Sequence, residues 1–146
     1  MRIEIINQQK IKTINLRAFR KDLSKVLKFL DISSEKITLL FCDNQFIKKL
    51  NKRYFGRIST TDVIAFPLAD EFEPEYLGDI VISVEKAVDS AKNFDTTWQK
   101  ELFLYVVHGI LHLIGYEDTT DVKRKKMLKV QQEITKQLYL KKRKLI

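Results

Sequence analysis

His108-Gly109-Ile110-Leu111-His112-Leu113-Ile114-Gly115-Tyr116-Glu117-Asp118 contains both histidines of the chain, four residues apart in an apolar run. On a helix, positions i and i+4 share a face with Cβ atoms about 5–6 Å apart, so two imidazoles can converge on one small cation. Gly115 lets the chain leave the helix through a left-handed turn and double back. Asp118 is then placed to return a third donor. Three protein ligands with one position left open to water is the catalytic rather than the structural zinc arrangement, and carboxylate oxygen is an accepted ligand. His108, His112 and Asp118 are therefore the candidate metal ligands, for one zinc ion or, given the carboxylate, another divalent metal. The alternative for Asp118 is an ordinary N-cap of the helix that follows.

The offsets of Gly115 and Asp118 match the metzincin pattern, but the residue after the first histidine does not. Zinc peptidases place a glutamate there as general base, and this chain has Gly109. Glu117 is the nearest carboxylate in sequence that could replace it. Peptide hydrolysis recedes, and metal-assisted hydrolysis of another electrophile comes forward.

Upstream, Leu102, Phe103, Leu104, Val106 and Val107 carry the same helix back toward a capping box, Thr96 with Gln99. Apolar nearly all round, it should be the central and most buried helix. Downstream, a last helix begins near Thr120, with Met127, Val130, Ile134 and Leu138 as its buried stripe and lysine and arginine opposite.

In the first half, Arg2–Asn7, Lys36–Cys42, Asp62–Phe66 and Gly78–Ile82 read as strands, with an acidic, hairpin-like connection over Ala69–Tyr76. Asn15 caps a helix to about Leu30 on Leu16, Phe19, Leu23, Val26, Leu27 and Leu30. Asp43 or Asn44 caps a short helix on Phe46, Ile47, Leu50 and Tyr54, ended by Gly56. Ser83 caps another to about Asn93. The class is α+β, a small mixed β-sheet packed with helices.

At 146 residues, the chain reads as one domain over 1–146. A single cysteine, Cys42, allows no intrachain disulfide. No signal peptide is visible, and the longest apolar stretch, Leu102–Ile114, is shorter than the ~20 residues that span a bilayer. The expectation is a cytoplasmic protein without a membrane partner. The net charge of +8 is uneven, acidic over Asp62–Glu85 and basic over Lys123–Lys144, and favours polyanions such as RNA. Its alternative is a solvated helix face and a frayed tail.

His108-Gly109-Ile110-Leu111-His112-Leu113-Ile114-Gly115-Tyr116 resembles the signature of the YbeY-type endoribonucleases, the bacterial rRNA maturation factors. Leu50-Asn51, Tyr54 and Thr61-Asp62-Val63 before Phe66-Pro67 look like the family's second block. Leu77-Gly78-Asp79-Ile80 looks like its third, an edge strand beside the metal cleft. The resemblance implies a zincin-like site on an α+β fold, a single zinc, and single-strand-specific RNA cleavage. It further implies a role in maturing the 3′ end of small-subunit rRNA and in ribosome quality control. His108 and His112 match the first two ligands, and Asp118 stands where many members have a third histidine. Phe55 replaces the arginine that usually follows the tyrosine of the second block, and Ala65 replaces a serine. Arg57, after the Gly56 turn, or else Arg53, is the candidate to reach a substrate phosphate.

The leading reading is a metal-dependent endoribonuclease of rRNA processing, whose catalytic group beyond a metal-activated water is not identified. The alternative is a metal-containing RNA- or ribosome-binding assembly factor with little nuclease activity, and a peptidase is a third possibility.

Overall fold

The structure is a computed structural model describing residues 2–32, 36–55, 63–67 and 75–144. In chain order the elements are β1 (Arg2–Asn7), α1 (Leu16–Phe29), β2 (Lys36–Cys42), α2 (Asn44–Phe55), β3 (Val63–Pro67), β4 (Tyr76–Ser83), α3 (Val84–Asn93), α4 (Trp98–Leu113) and α5 (Asp121–Lys144). The strands form one sheet in the order β1-β2-β4-β3. β1, β2 and β4 run parallel, and β3 pairs antiparallel with β4. The mixed α+β class read from the sequence is the one observed; residues 69–74 of the hairpin-like connection expected between β3 and β4 lie outside the described residues.

Strand alternation divides the apolar residues between two faces. Ile37, Leu39, Phe41, Ile80 and Ile82 point to one side, where α1, α4 and α5 contribute Leu23, Val26, Leu27, Val106, Ile110, Met127 and Ile134. On the other side Cys42, Ile64 and Val81 meet Ile47 of α2. α4 is buried along most of its length, at Leu102, Phe103, Val106, Val107, Gly109, Ile110, Leu111 and Leu113. It is the central helix its composition predicts. The stripe of α5 is buried at Met127, Ile134 and Leu138 and half-buried at Val130.

Three details differ from the sequence reading. The strand carrying Leu77-Gly78-Asp79-Ile80 is interior, hydrogen-bonded to β2 and β3, and the edge beside it is β3. On α2, Ile47 is buried, but Phe46 and Tyr54 are 36% and 58% exposed; β-face coverage by a short helix needs only its inner residues. The cap of α4 is Thr97, whose Oγ1 accepts from Lys100 N at 3.2 Å, rather than Thr96. Thr96 is engaged in closing the preceding helix, its N–H donating to Ala91 O at 3.1 Å. The other caps fall on Asn15, on Asp43, which accepts from Phe46 N at 2.8 Å, and on Ser83.

α1, α3 and α4 all end through a residue of positive φ, respectively Asp31 (59°), Asp95 (53°) and Gly115 (105°). Each is followed by an N–H that reaches back five residues: Ile32 to Leu27 O, Thr96 to Ala91 O, and Tyr116 to Leu111 O, at 2.8, 3.1 and 2.9 Å. This is the Schellman ending, at which glycine is the residue free of Cβ strain. Asp95→Gly should therefore raise stability by about 0.5–1 kcal/mol, the left-handed cost of an L residue less the extra freedom of unfolded glycine. Urea denaturation checks this, and a lowered midpoint would contradict it.

Candidate metal centre

The last two turns of α4 set the geometry. Gly109 faces the sheet, where an added Cβ would lie 2.8 Å from Ile80 Cγ2 and 3.2 Å from Val63 Cγ2. No side chain of glutamate length fits there, so a general base cannot come from position 109. His108 and His112 lie on the flank of the helix, half-buried, with side chains 32% and 29% exposed.

The turn that ends α4 also holds the second histidine. Gly115 N donates to His112 O at 3.1 Å, and Tyr116 N to Leu111 O at 2.9 Å. Nothing lies within 4 Å of a Cβ built at Gly115. Glycine is thus required by the φ of +105° and not by space. The Tyr116 carbonyl thereby comes within 3.1 Å of His112 Nδ1. A carbonyl only accepts, so Nδ1 carries the proton and Nε2 presents its lone pair outward.

His108 is oriented from a different helix. Its Nδ1 lies 3.2 Å from Gln131 Oε1 on α5. With that oxygen accepting, both Nε2 atoms are bare acceptors, and they stand 3.0 Å apart. Two lone pairs so placed repel unless a shared proton or a metal cation sits against both. Asp118 Oδ2 completes the group, 3.6 Å from His112 Nε2 and 3.8 Å from His108 Nε2.

Zinc bonds to nitrogen and oxygen of 2.0–2.1 Å at tetrahedral angles require ligand atoms about 3.3–3.4 Å apart. The three observed separations bracket that value. The group His108, His112 and Asp118 could hold a metal ion, and the ring nitrogens turned away from it already have partners. Metal-ligating histidines are typically held this way.

Asp118 is not the cap of α5. Thr120 takes that role, its Oγ1 accepting from Lys123 N at 3.2 Å. The loop carrying Asp118 is tied instead by Arg124, which reaches the Asp118 carbonyl at 3.4 Å and the Asp121 carboxylate at 3.0 Å. Glu117 is exposed and bonded to Lys123 Nζ at 2.6 Å, and that bond holds its carboxyl below the usual carboxylate range. It is committed to the lysine rather than to the histidine pair. Arg57, Gly56 and the Thr61-Asp62 pair lie outside the described residues, as do the side chains of Phe55 and Lys141–Lys144. Arg53 stacks its guanidinium 5.6 Å from the Tyr54 ring, which itself meets Phe66 of β3 edge-on.

Two contributors went unread in the sequence, the Tyr116 carbonyl and Gln131. Gln131 left a signal. It lies four residues after Met127 and three before Ile134, a polar residue within an otherwise apolar stripe.

Fold and site together define a mixed α+β protein with a His-His-Asp group, able to hold a metal ion, carried by its central helix and the turn beyond. The chain belongs to the family described as Endoribonuclease YbeY, which residues 3–139 match. The Endoribonuclease YbeY of Syntrophus aciditrophicus is 42% identical over 80% of this chain and 75% of its own. That of Acholeplasma laidlawii is 36% identical over 97% and 99%. Among solved structures, the solution structure of TM1509 from Thermotoga maritima aligns with TM-score 0.70 at 29% identity, covering 97% of this chain and 92% of that one.

Both glycines of the helix end should resist substitution, for different reasons. Gly115→Ala should cost about 1–2 kcal/mol through its backbone conformation. Gly109→Ala should cost about 1–3 kcal/mol through overpacking against Ile80. Denaturant titration of the two variants measures both, and an unchanged midpoint in either would remove the corresponding argument.

Proposed function

We propose that this chain is a zinc-dependent endoribonuclease that cleaves single-stranded RNA during rRNA processing, at the 3′ end of small-subunit rRNA, as one domain working in the cytoplasm. The observation that carries the proposal is a His-His-Asp group at zinc-ligand separations in a member of the Endoribonuclease YbeY family. Among the described residues no helix is long and apolar enough to cross a membrane. The net charge of +8 suits an RNA partner.

His108 and His112 would hold the metal through Nε2 and Asp118 through Oδ2. Bound zinc supplies Lewis acidity toward a phosphoryl oxygen and brings the pKa of water toward ~7. The protein's part is orientation. The Tyr116 carbonyl and Gln131 fix the two rings, Arg124 secures the loop of Asp118, and the exposed face of the group leaves room for a phosphodiester. Position 109 contributes no base, and Glu117 is engaged by Lys123, which favours a mechanism without a dedicated carboxylate base. Arg57 is the candidate for neutralising charge on the phosphate. Lys123, Lys125, Lys126 and Lys129 of α5 are exposed and supply sequence-independent, salt-dependent attraction. A second reading, an RNA-bound assembly factor with little nuclease activity, is favoured by Phe55 where the family usually has arginine.

Purified protein should contain one equivalent of metal, and His112→Ala none. Asp118→Ala should fold normally and lose cleavage of single-stranded RNA; equal cleavage by this variant and the wild type would sink the enzyme reading. Gln131→Ala should keep the fold and bind zinc about 10–100-fold more weakly, measured by chelator competition. Unchanged affinity would mean that Gln131 does not orient His108.

A further inference from the structure

α1 and α5 pack through Val26, Ile134 and Leu138, and on their solvent side they leave a groove of about 350 Å³. Its floor is apolar, its rim carries Lys25 and Lys28, and Gln137 faces them from α5. Phe29, also on the rim, is 43% exposed. Neither lysine is ion-paired among the described residues. Lys21, Lys25 and Lys28 are spaced by four and three residues, so α1 presents a line of positive charge leading into the groove.

We infer that this groove is a second RNA contact, separate from the metal centre, in which one unpaired base stacks on Phe29 while Lys25 and Lys28 hold the adjoining phosphates. The inference rests on the RNA-directed reading above and adds where the strand is gripped. Proteins that take single strands without sequence preference combine a positive track with exposed aromatic faces, and both occur here together. Gln137 supplies donor and acceptor atoms to a base edge. The volume lies at the lower end of small-ligand pockets. That size suits one nucleotide better than the side of a partner helix, whose diameter alone is about 10–12 Å.

The test uses the full chain, first stripped of metal with chelator so that RNA survives, and a fluorescent oligouridine as probe. Lys25→Glu with Lys28→Glu should weaken binding at least about tenfold and flatten the salt dependence by about two phosphate contacts. Phe29→Ala should weaken it by about five- to a hundredfold with the salt slope unchanged. Lys48→Glu with Lys49→Glu, an equal charge change on the exposed face of α2, should cost less than about threefold. Equal losses from both lysine pairs would reduce the effect to net charge and overturn the site, as would groove variants that bind like wild type. Capture of a polyglutamate peptide by the groove in place of oligouridine would overturn it in favour of an acidic protein partner. Cleavage assays with metal restored separate the two claims. If wild type binds through Phe29 and the lysines but cleaves nothing, the groove stands and the nuclease reading falls. If cleavage depends on Asp118 while the groove variants bind normally, only the groove falls.

Discussion

The hydrogen bond from Tyr116 N to Leu111 O is the constraint on which the site depends. It closes the end of α4, and it can form only because Gly115 adopts a φ of +105°. The same reversal turns the Tyr116 carbonyl back onto His112 and starts the loop that brings Asp118 beside both imidazoles. One helix ending therefore satisfies orphan backbone groups, selects a histidine tautomer and delivers a carboxylate. A metal-binding group is normally costly to prearrange, since its donors repel one another. Here much of the arrangement follows from terminating a helix.

The tight packing of α4 on the sheet is the complementary constraint. Gly109 lets the helix come close enough to Ile80 and Val63 to exclude any side chain, and Gly78 does the same from the strand, where a Cβ would lie 2.7 Å from Leu113 Cδ2 of α4. Close approach sets the height of α4 over β4 and β3. It also removes the position from which zinc peptidases draw their base. Close packing and the absence of a peptidase-type carboxylate thus meet at a single residue.

Most of this could be read from the sequence because its signals are local. The four-residue histidine spacing, Gly115, the three-four periodicity of α1 and α5, and Asn15 and Ser83 as caps all act within a few residues of themselves. What could not be read depends on distant partners. That β4 lies inside the sheet is decided by its pairing with both β2 and β3, which no stretch of β4 encodes. Thr97 rather than Thr96 caps α4 because Thr96 is drawn into the end of α3, a competition between two helices. Gln131 contacts His108 across 23 residues, and only its place in an apolar stripe hinted at it. Gln9 is similar. It is buried, and its side chain bonds to Asn7, Ile11 and Lys12 to organise the connection into α1, though in sequence it is one polar residue among several.

The position of Gln131 has a consequence for synthesis. β1, β2 and β4, with α1 and part of the core they bury, precede α4 in the chain, whereas the partner of His108 lies on α5, beyond it. Chains emerge from the N-terminus, and their early parts can begin to fold first. The sheet can therefore assemble while α5 is still to be made, but the first histidine is not held until Gln131 has emerged and α5 has docked. Until then a nascent chain carries the sheet and α4 with His108 lacking its Nδ1 partner.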